Sequence, residues 1–381
     1  MPAAGFSGVL VEAGPGGRPA LFDGALETLT ASDAESARAA LARLEAARRA
    51  GHWIAGFAAY ELGVALEPAL EALLQGVTGP LLCFGIFDGP RDAAPLLREA
   101  GEGRAEMRSA TPLWDRAAYA ERFHEIKRMI ARGDLYQVNL TMPVALRFGG
   151  TPLALWGAMR ALQPVGHGAA LSLGGHVVLS RSPELFFALA GDGAISVAPM
   201  KGTAPRGDTP EADMALRDAL ARDPKNRAEN IMIVDLMRND LARISRVGSV
   251  RVPDLLRVET YETVHQMVSQ VEARLSDAPA LPELLGALFP CGSITGAPKI
   301  AAMRAIHALE RWERGAYCGA IGWMAPDGRA QFNVAIRTLT VTGPGEALMG
   351  VGGGIVHDSD CDAEYQEALW KARFATGLIP G

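Results

Sequence analysis

Five lysines stand among 37 basic residues: Lys127, Lys201, Lys225, Lys299 and Lys371. Arginine is the default cation of this chain, so each lysine marks a position where a guanidinium has not been used. A guanidinium stays protonated, whereas an amine can shed its proton and act as nucleophile or base. Lys201 lies in Pro199-Met200-Lys201-Gly202-Thr203, and an acid precedes it at a useful spacing. Glu184, in Ser180-Arg181-Ser182-Pro183-Glu184-Leu185-Phe186, is separated from it by two strand-like runs joined at Gly191-Asp192-Gly193. A hairpin of that length returns Glu184 to the neighbourhood of Lys201. The pair is then either an acid with its nucleophile or a plain ion pair, and the spacing fits both.

Three further constellations surround this one. Arg227 to Asp240 reads as a helix with a long apolar stripe and acids, Glu229 among them, off that stripe. On a helix from Asp360, Glu364, Glu367 and Lys371 share one face. Glu367 and Lys371 make an ordinary i,i+4 pair, or the two glutamates line a metal site in which Lys371 neutralises substrate charge. Gly292-Ser293-Ile294-Thr295-Gly296-Ala297-Pro298-Lys299 runs into a helix whose free N–H groups favour an anion. Gly350 to Ile355 permits close approach of backbone to a ligand, and Arg337, placed on a strand face with Asn333 and Ala335, fits a carboxylate. Cys83, Cys291, Cys318 and Cys361 form no C-x-x-C pair and the seven histidines no H-E-x-x-H, so a metal would find oxygen ligands and be a hard cation such as Mg²⁺. These residues describe a site for a small polyanion with a divalent cation and one unusual lysine.

The elements that position them read as α+β. Helical patterns run over Asp33–Arg49, with capping-box spacing at Ser32 and Glu35, and from Asp115 to Gly133 with Tyr119, Phe123, Ile126 and Ile130 on one face. Others are expected at Asp213–Ala221, Asn226–Leu241, Pro298–Trp312 and Asp360–Thr376. Strands are expected at Ile54–Tyr60, Leu81–Phe87, Leu135–Phe148 (with Gln137, Asn139 and Thr141 as a polar face), Ala169–Leu173, Val177–Ser180, Leu185–Ala190, Ala194–Ala198, Ala316–Met324, Gln331–Val341 and Ala347–Val351. Gly and Asp-Gly turns between them imply antiparallel sheets. The polar stretch Arg91–Pro112 reads as irregular and divides an N-terminal region, 1–112, from a catalytic region, 113–381. A net charge of −6 gives no footprint for nucleic acid, no segment is apolar enough to span a bilayer, and cytoplasm is the expected compartment.

Pro199-Met200-Lys201-Gly202-Thr203, Arg227-Ala228-Glu229-Asn230 through Asp240, Phe289 to Lys299, Ile336-Arg337-Thr338 and Gly352-Gly353-Gly354-Ile355 resemble, in order, the motifs of the chorismate-utilising enzymes. The resemblance spans about residues 115 to 376 and implies an αββα sandwich of two large antiparallel sheets, helices outside, with the active site in a cleft. Within that family, anthranilate synthases usually carry alanine where this chain has Lys201. Isochorismate and salicylate synthases carry a lysine base where it has Gln137. Lys201 with Gln137 resembles the branch that makes 4-amino-4-deoxychorismate.

The resemblance also implies roles. Glu229 and Glu367, with Glu364 joining through water, would hold Mg²⁺ against the ring carboxylate of chorismate. Glu184 would protonate the departing 4-hydroxyl, and Lys201, with Gly202 and Thr203 beside it, would add at carbon 2 before ammonia enters at carbon 4. Arg337, Tyr317, Lys371 and the Gly353 and Gly354 amides resemble the carboxylate-binding residues, His265 a ring-proximal residue and Thr295 a substrate contact. No Gly-x-Cys-x-Gly nucleophile occurs, so ammonia is expected from solution or from a glutamine amidotransferase subunit, and a separate aminodeoxychorismate lyase would complete 4-aminobenzoate for folate. The family's tryptophan-sensing Leu-Leu-Glu-Ser segment has only a distant echo in Gly24 to Leu29. The rival within the family is anthranilate synthase component I.

Overall fold

Short strands joined by tight turns pair most simply with their neighbours. In the computed structural model, which describes residues 5–261, 264–276 and 280–379, they form two ten-stranded antiparallel sheets. The first sheet runs from Gly296–Ala297 through Gln137–Gly149, Glu346–Ile355, Thr338–Gly343, His176–Ser180 and Ala169–Leu173 to Gly8–Val11, Ala20–Phe22 and Arg91–Asp92, with Glu106–Pro112 paired to Gln137–Gly149. The second runs from Met200–Pro205 through Val264–Arg274, Ala194–Ala198, Leu185–Leu189, Ala330–Val334 and Ala320–Met324 to Trp53–Ala58, Leu82–Phe87 and Glu27–Ala31, with Arg251–Thr260 on Val264–Arg274.

Alternation along the strands builds the layers. Val9, Val11 and Leu171 of the first sheet meet Phe57, Cys83 and Ile321 of the second in one apolar layer. Their chain neighbours Leu10, Ala58 and Phe84 face the other way, into a core shared with Leu41 and Leu44 of the Ala34–Arg49 helix. Both faces of the central strands are therefore buried, as the expected sandwich requires. Among the described residues no helix is long and apolar enough to cross a membrane.

Several local readings change. Asp33, not Ser32, caps the first helix, and Ser36 completes its capping box. Arg91–Pro112 is not irregular: it holds strand Arg91–Asp92, helix Ala94–Glu102 and strand Glu106–Pro112. The last of these pairs with Gln137–Gly149, and a register shift between Met107 and Ser109 breaks the alternation that Glu106, Met107 and Arg108 begin. Strands from both sides of residue 112 enter both sheets, so the two segments share one core. The run Gln331–Val341 divides into Ala330–Val334 in the second sheet and Thr338–Gly343 in the first. Arg337 thus stands between strands at a left-handed φ of 51°, instead of on a face with Asn333 and Ala335.

Candidate active site

The chain passes from one sheet to the other at 181–184 and again at 335–337, and the two crossings are tied together. The Arg181 amide donates to the Arg337 carbonyl at 2.9 Å, and the Val334 amide to the Glu184 carbonyl at 3.1 Å. Ser182 Oγ adds a bond to the Val334 carbonyl at 2.5 Å. These contacts set Glu184 and Arg337 on the wall of a cavity of about 520 Å³. Burial pushes the Glu184 carboxyl up to about 7, with Ser293, Lys201, the Met200 amide and Arg337 each opposing part of that shift. Its Oε1 has no hydrogen-bond partner. Arg337 makes no ion pair among the described residues, and burial lowers its pKa to about 10 against the opposing pull of Glu184. A buried acid that keeps its proton near neutrality, beside an unpaired guanidinium, suits a substrate that brings a carboxylate and needs a proton.

The hairpin of Leu185–Leu189 and Ala194–Ala198 pairs Leu185 with Ala198, so Met200–Pro205 returns past Glu184 as the sequence implied. Met200–Pro205 ends the second sheet, paired among the described residues only with Val264–Arg274. Its register slips between Met200↔Val268 and Thr203↔Gln266, one residue more than its partner, and the bulge re-aims Lys201 and Gly202 toward the cavity. Gln266 pins the bulge: its Nε2 donates to the Gly202 carbonyl and its Oε1 accepts from Thr203 Oγ1, both at 2.9 Å. Gly202 holds φ +81°, and a side chain there would meet Asn226 at 2.8 Å.

Helices supply the opposite wall. Glu229 comes from Pro224–Ala242, Glu364 and Glu367 from Cys361–Lys371, and all three line the cavity. Burial raises the Glu229 carboxyl, with Lys201 and Lys225 opposing. At the rim, burial also raises Glu367, but Lys371, with Lys201 and Lys225 behind it, outweighs that and holds it low. The i,i+4 pair exists, with Lys371 Nζ 2.7 Å from Glu367 Oε1 and bonded to the Gly352 carbonyl at 2.9 Å. Lys225 lies 3.2 Å from Glu364 and 3.9 Å from Glu229. Among the described residues no three ligating side chains converge on one point as they stand. The donors are nevertheless all carboxylate oxygens, the set a hard divalent cation takes, and only Lys225 stands between two of them.

The glycine run forms the floor. Thr338–Gly343 pairs with Glu346–Ile355 only as far as Leu339↔Met349, so Gly350 to Ile355 is bonded on one side alone, to Gln137–Gly149. The Asn139 and Thr141 amides point away from the glycines, to the Thr295 carbonyl and Glu310. By ladder alternation the Gly353 amide then faces Leu140, while those of Gly352 and Gly354 face the open side. Gly354 thus turns its amide to the open side, whereas Gly353 contributes an absence of side chain there. A Cβ on Gly353 would stand 3.3 Å from Glu364 and from Lys371, and one on Gly354 2.5 Å from Gln137 and 3.3 Å from Lys201. Tyr317 lines the cavity across Gly350, whose added Cβ would strike its ring at 2.1 Å.

Thr203, Tyr317, Glu364 and the other proposed residues thus share one cavity, with two exceptions. His265 is fully buried outside the lining, its Nε2 2.9 Å from Asp213 and its Nδ1 3.0 Å from Thr260 Oγ1. Thr295 is also buried behind the wall, its hydroxyl bonded to the Cys291 and Gly292 carbonyls and its carbonyl to Asn139. The 292–299 segment does not aim a helix N-terminus at the cavity. Gly296–Ala297 joins the first sheet, and Lys299 pairs with Asp240. Sequence reading missed Lys225, Asn139 and Ser293 as lining residues. For Lys225 the signal was present, since it is one of the five lysines and lies four residues before Glu229.

Residues 9–377 match the family model of the chorismate binding enzymes. Over 97% of its length the chain is 38% identical to an aminodeoxychorismate synthase of Streptomyces pristinaespiralis, and it spans 49% of that relative. It is also 38% identical, over 94% of its length, to an anthranilate synthase component 1 of Haloarcula marismortui, of which it covers 74%. Among solved structures, anthranilate synthase component I from Streptococcus pneumoniae has a TM-score of 0.80 at 24% identity, covering 97% of this chain and 92% of that one. The structural likeness shows the same fold.

Proposed function

The chain belongs to the chorismate-binding enzymes, and within that family we propose that it aminates chorismate at carbon 4 to give 4-amino-4-deoxychorismate. Overall identity does not choose the product, because relatives of both names stand at 38%. The observation that carries the reading is Lys201 on the wall of the cavity that also holds Glu184, with Gln137 rather than a second lysine behind Gly354.

Arg337, Lys371 and the Gly354 amide supply the positive wall for the carboxylates of chorismate. Glu229, Glu364 and Glu367 would hold Mg²⁺, which supplies charge neutralisation at the ring carboxylate. Glu184 holds a proton on its carboxyl and delivers it to the 4-hydroxyl, which leaves as water. The neutral amine of Lys201 forms a bond to carbon 2 as the ring double bonds migrate toward carbon 4. Ammonia then bonds to carbon 4, the double bonds return, Lys201 departs as the amine and the released proton goes back to Glu184. The enolpyruvyl group stays in place. The word component in the Haloarcula name supports an ammonia-supplying partner, which we read as a glutamine amidotransferase. A lyase removing pyruvate would follow, leading to 4-aminobenzoate and folate in the cytoplasm.

Mass-resolved product from purified protein, chorismate, Mg²⁺ and ammonium tests this. An aminated product that retains the enolpyruvyl group supports carbon-4 amination. Fluorescent anthranilate with release of pyruvate would support the second reading, anthranilate synthase component I, which the Haloarcula match favours.

A further inference from the structure

Lys225 is placed where helix electrostatics do not want it. It is the second residue of Pro224–Ala242, two places after the Asp223 cap, where the helix dipole opposes a positive charge. Its ammonium turns instead into the acidic corner, 3.2 Å from Glu364 Oε1 and 3.9 Å from Glu229 Oε1, and so bridges carboxylates from two helices. Glu364 is only 4% exposed, and Ser359 Oγ donates to its Oε1 at 2.7 Å. Such a carboxylate requires a counter-charge. Lys371 cannot serve both acids, being held by Glu367 and the Gly352 carbonyl. Lys225, by contrast, has a side chain 46% exposed and an open path to solvent.

We propose that Lys225 is a built-in counter-ion that occupies the divalent-cation position of this site, so that the metal binds only as the ammonium swings out. The inference rests on the metal reading above. A divalent ion shared between Glu229 and Glu364 would stand within a few ångströms of that ammonium, and two such like charges exclude each other. Exchange of one cation for another keeps the corner compensated in both states. It also makes metal affinity weaker than the three carboxylates alone would give.

Binding of Mn²⁺ to the full chain without substrate, followed by electron paramagnetic resonance and calorimetry, provides the test. Lys225→Met is expected to tighten the Kd about tenfold. Arg227→Met removes the same charge from a guanidinium tied to the Ala221 carbonyl and is expected to leave the Kd within about twofold. In metal-free buffer Lys225→Met should melt below wild type and gain more from added Mn²⁺. Lys225→Arg, which keeps a cation in the corner, should bind no more tightly than wild type. Measurable wild-type binding with an unchanged or weaker Kd in Lys225→Met would overturn the proposal while leaving the metal reading intact. Tighter binding by Lys225→Arg would also overturn it. Absence of Mn²⁺ binding in wild type and Lys225→Met alike would remove the metal reading, and this inference with it.

Discussion

On the sheet side of the cavity, Glu184 and Arg337 sit on two chain crossings laced together by backbone hydrogen bonds, and Lys201 on a bulge pinned by Gln266. On the helix side, Glu229, Glu364 and Glu367 are held by lysine side chains. The first wall cannot shift without breaking sheet pairings; the second can trade partners by rotating side chains. A proton donor and a nucleophile need fixed positions, since small misplacements cost orders of magnitude in rate. Under the proposed cation exchange, a charge-binding wall must instead change its counter-ions during turnover. The site divides those demands between its two kinds of secondary structure.

The contrast can be broken most severely from the helix wall. Removing divalent cations with a chelator is expected to abolish turnover, and undiminished activity would take the metal out of that wall. On the sheet wall, Lys201→Ala and Lys201→Arg should each lose at least about a hundredfold in 4-amino-4-deoxychorismate formation, because guanidinium keeps the charge but cannot attack. Near wild-type rates in Lys201→Arg would reduce that lysine to a positioning charge. Glu184→Gln should lose about a hundredfold in kcat at every Mg²⁺ concentration, as expected for a fixed acid. Glu367→Gln should lose about tenfold and recover in part as Mg²⁺ is raised, which activity titrations would read directly. If the two glutamine variants respond alike to Mg²⁺, the walls do not differ as described.

The smallest expected effect is on stability. Glu184 in the folded protein titrates at about 7, above the ordinary carboxylate value of 4.5, so between those pH values the folded state binds more protons than the unfolded. Stability therefore falls as pH rises through that window. Denaturant melts at pH 5 and pH 8 should show Glu184→Gln gaining relative to wild type by on the order of 2 kcal/mol at the higher pH. Glu61, also raised to about 7 by burial, leaves a residual slope of the same sign in the variant.

What the sequence revealed follows the same division. Glu184 and Lys201 were legible because a hairpin relates them locally, and Glu364, Glu367 and Lys371 because helical spacing does. Arg337 lines the cavity but was misplaced along its strand, since the continuous strand-like pattern of 331–341, free of Gly and Pro, gives no sign that the chain leaves one sheet for the other within it. Lys225 and Glu364 are 139 residues apart, and no local period reports their contact. His265 and Thr295 came from motif resemblance alone. In the fold His265 fastens the Pro210–Arg222 helix through Asp213, and Thr295 fastens the strand behind Asn139.

The floor strand has a consequence for how the molecule is made. Glu346–Ile355 inserts between Gln137–Gly149 and Thr338–Gly343, and its Gly350 pairs with Pro143 about two hundred positions earlier. During synthesis Gln137–Gly149 must therefore wait, one edge bare, until nearly all the strands have been made. Pairings of such separation fold slowly, and a waiting edge invites contact with other chains. Ribosome-bound chains truncated before residue 346 should bind chaperones and resist release as native protein, whereas chains extended past residue 355 should acquire protease resistance in the first sheet.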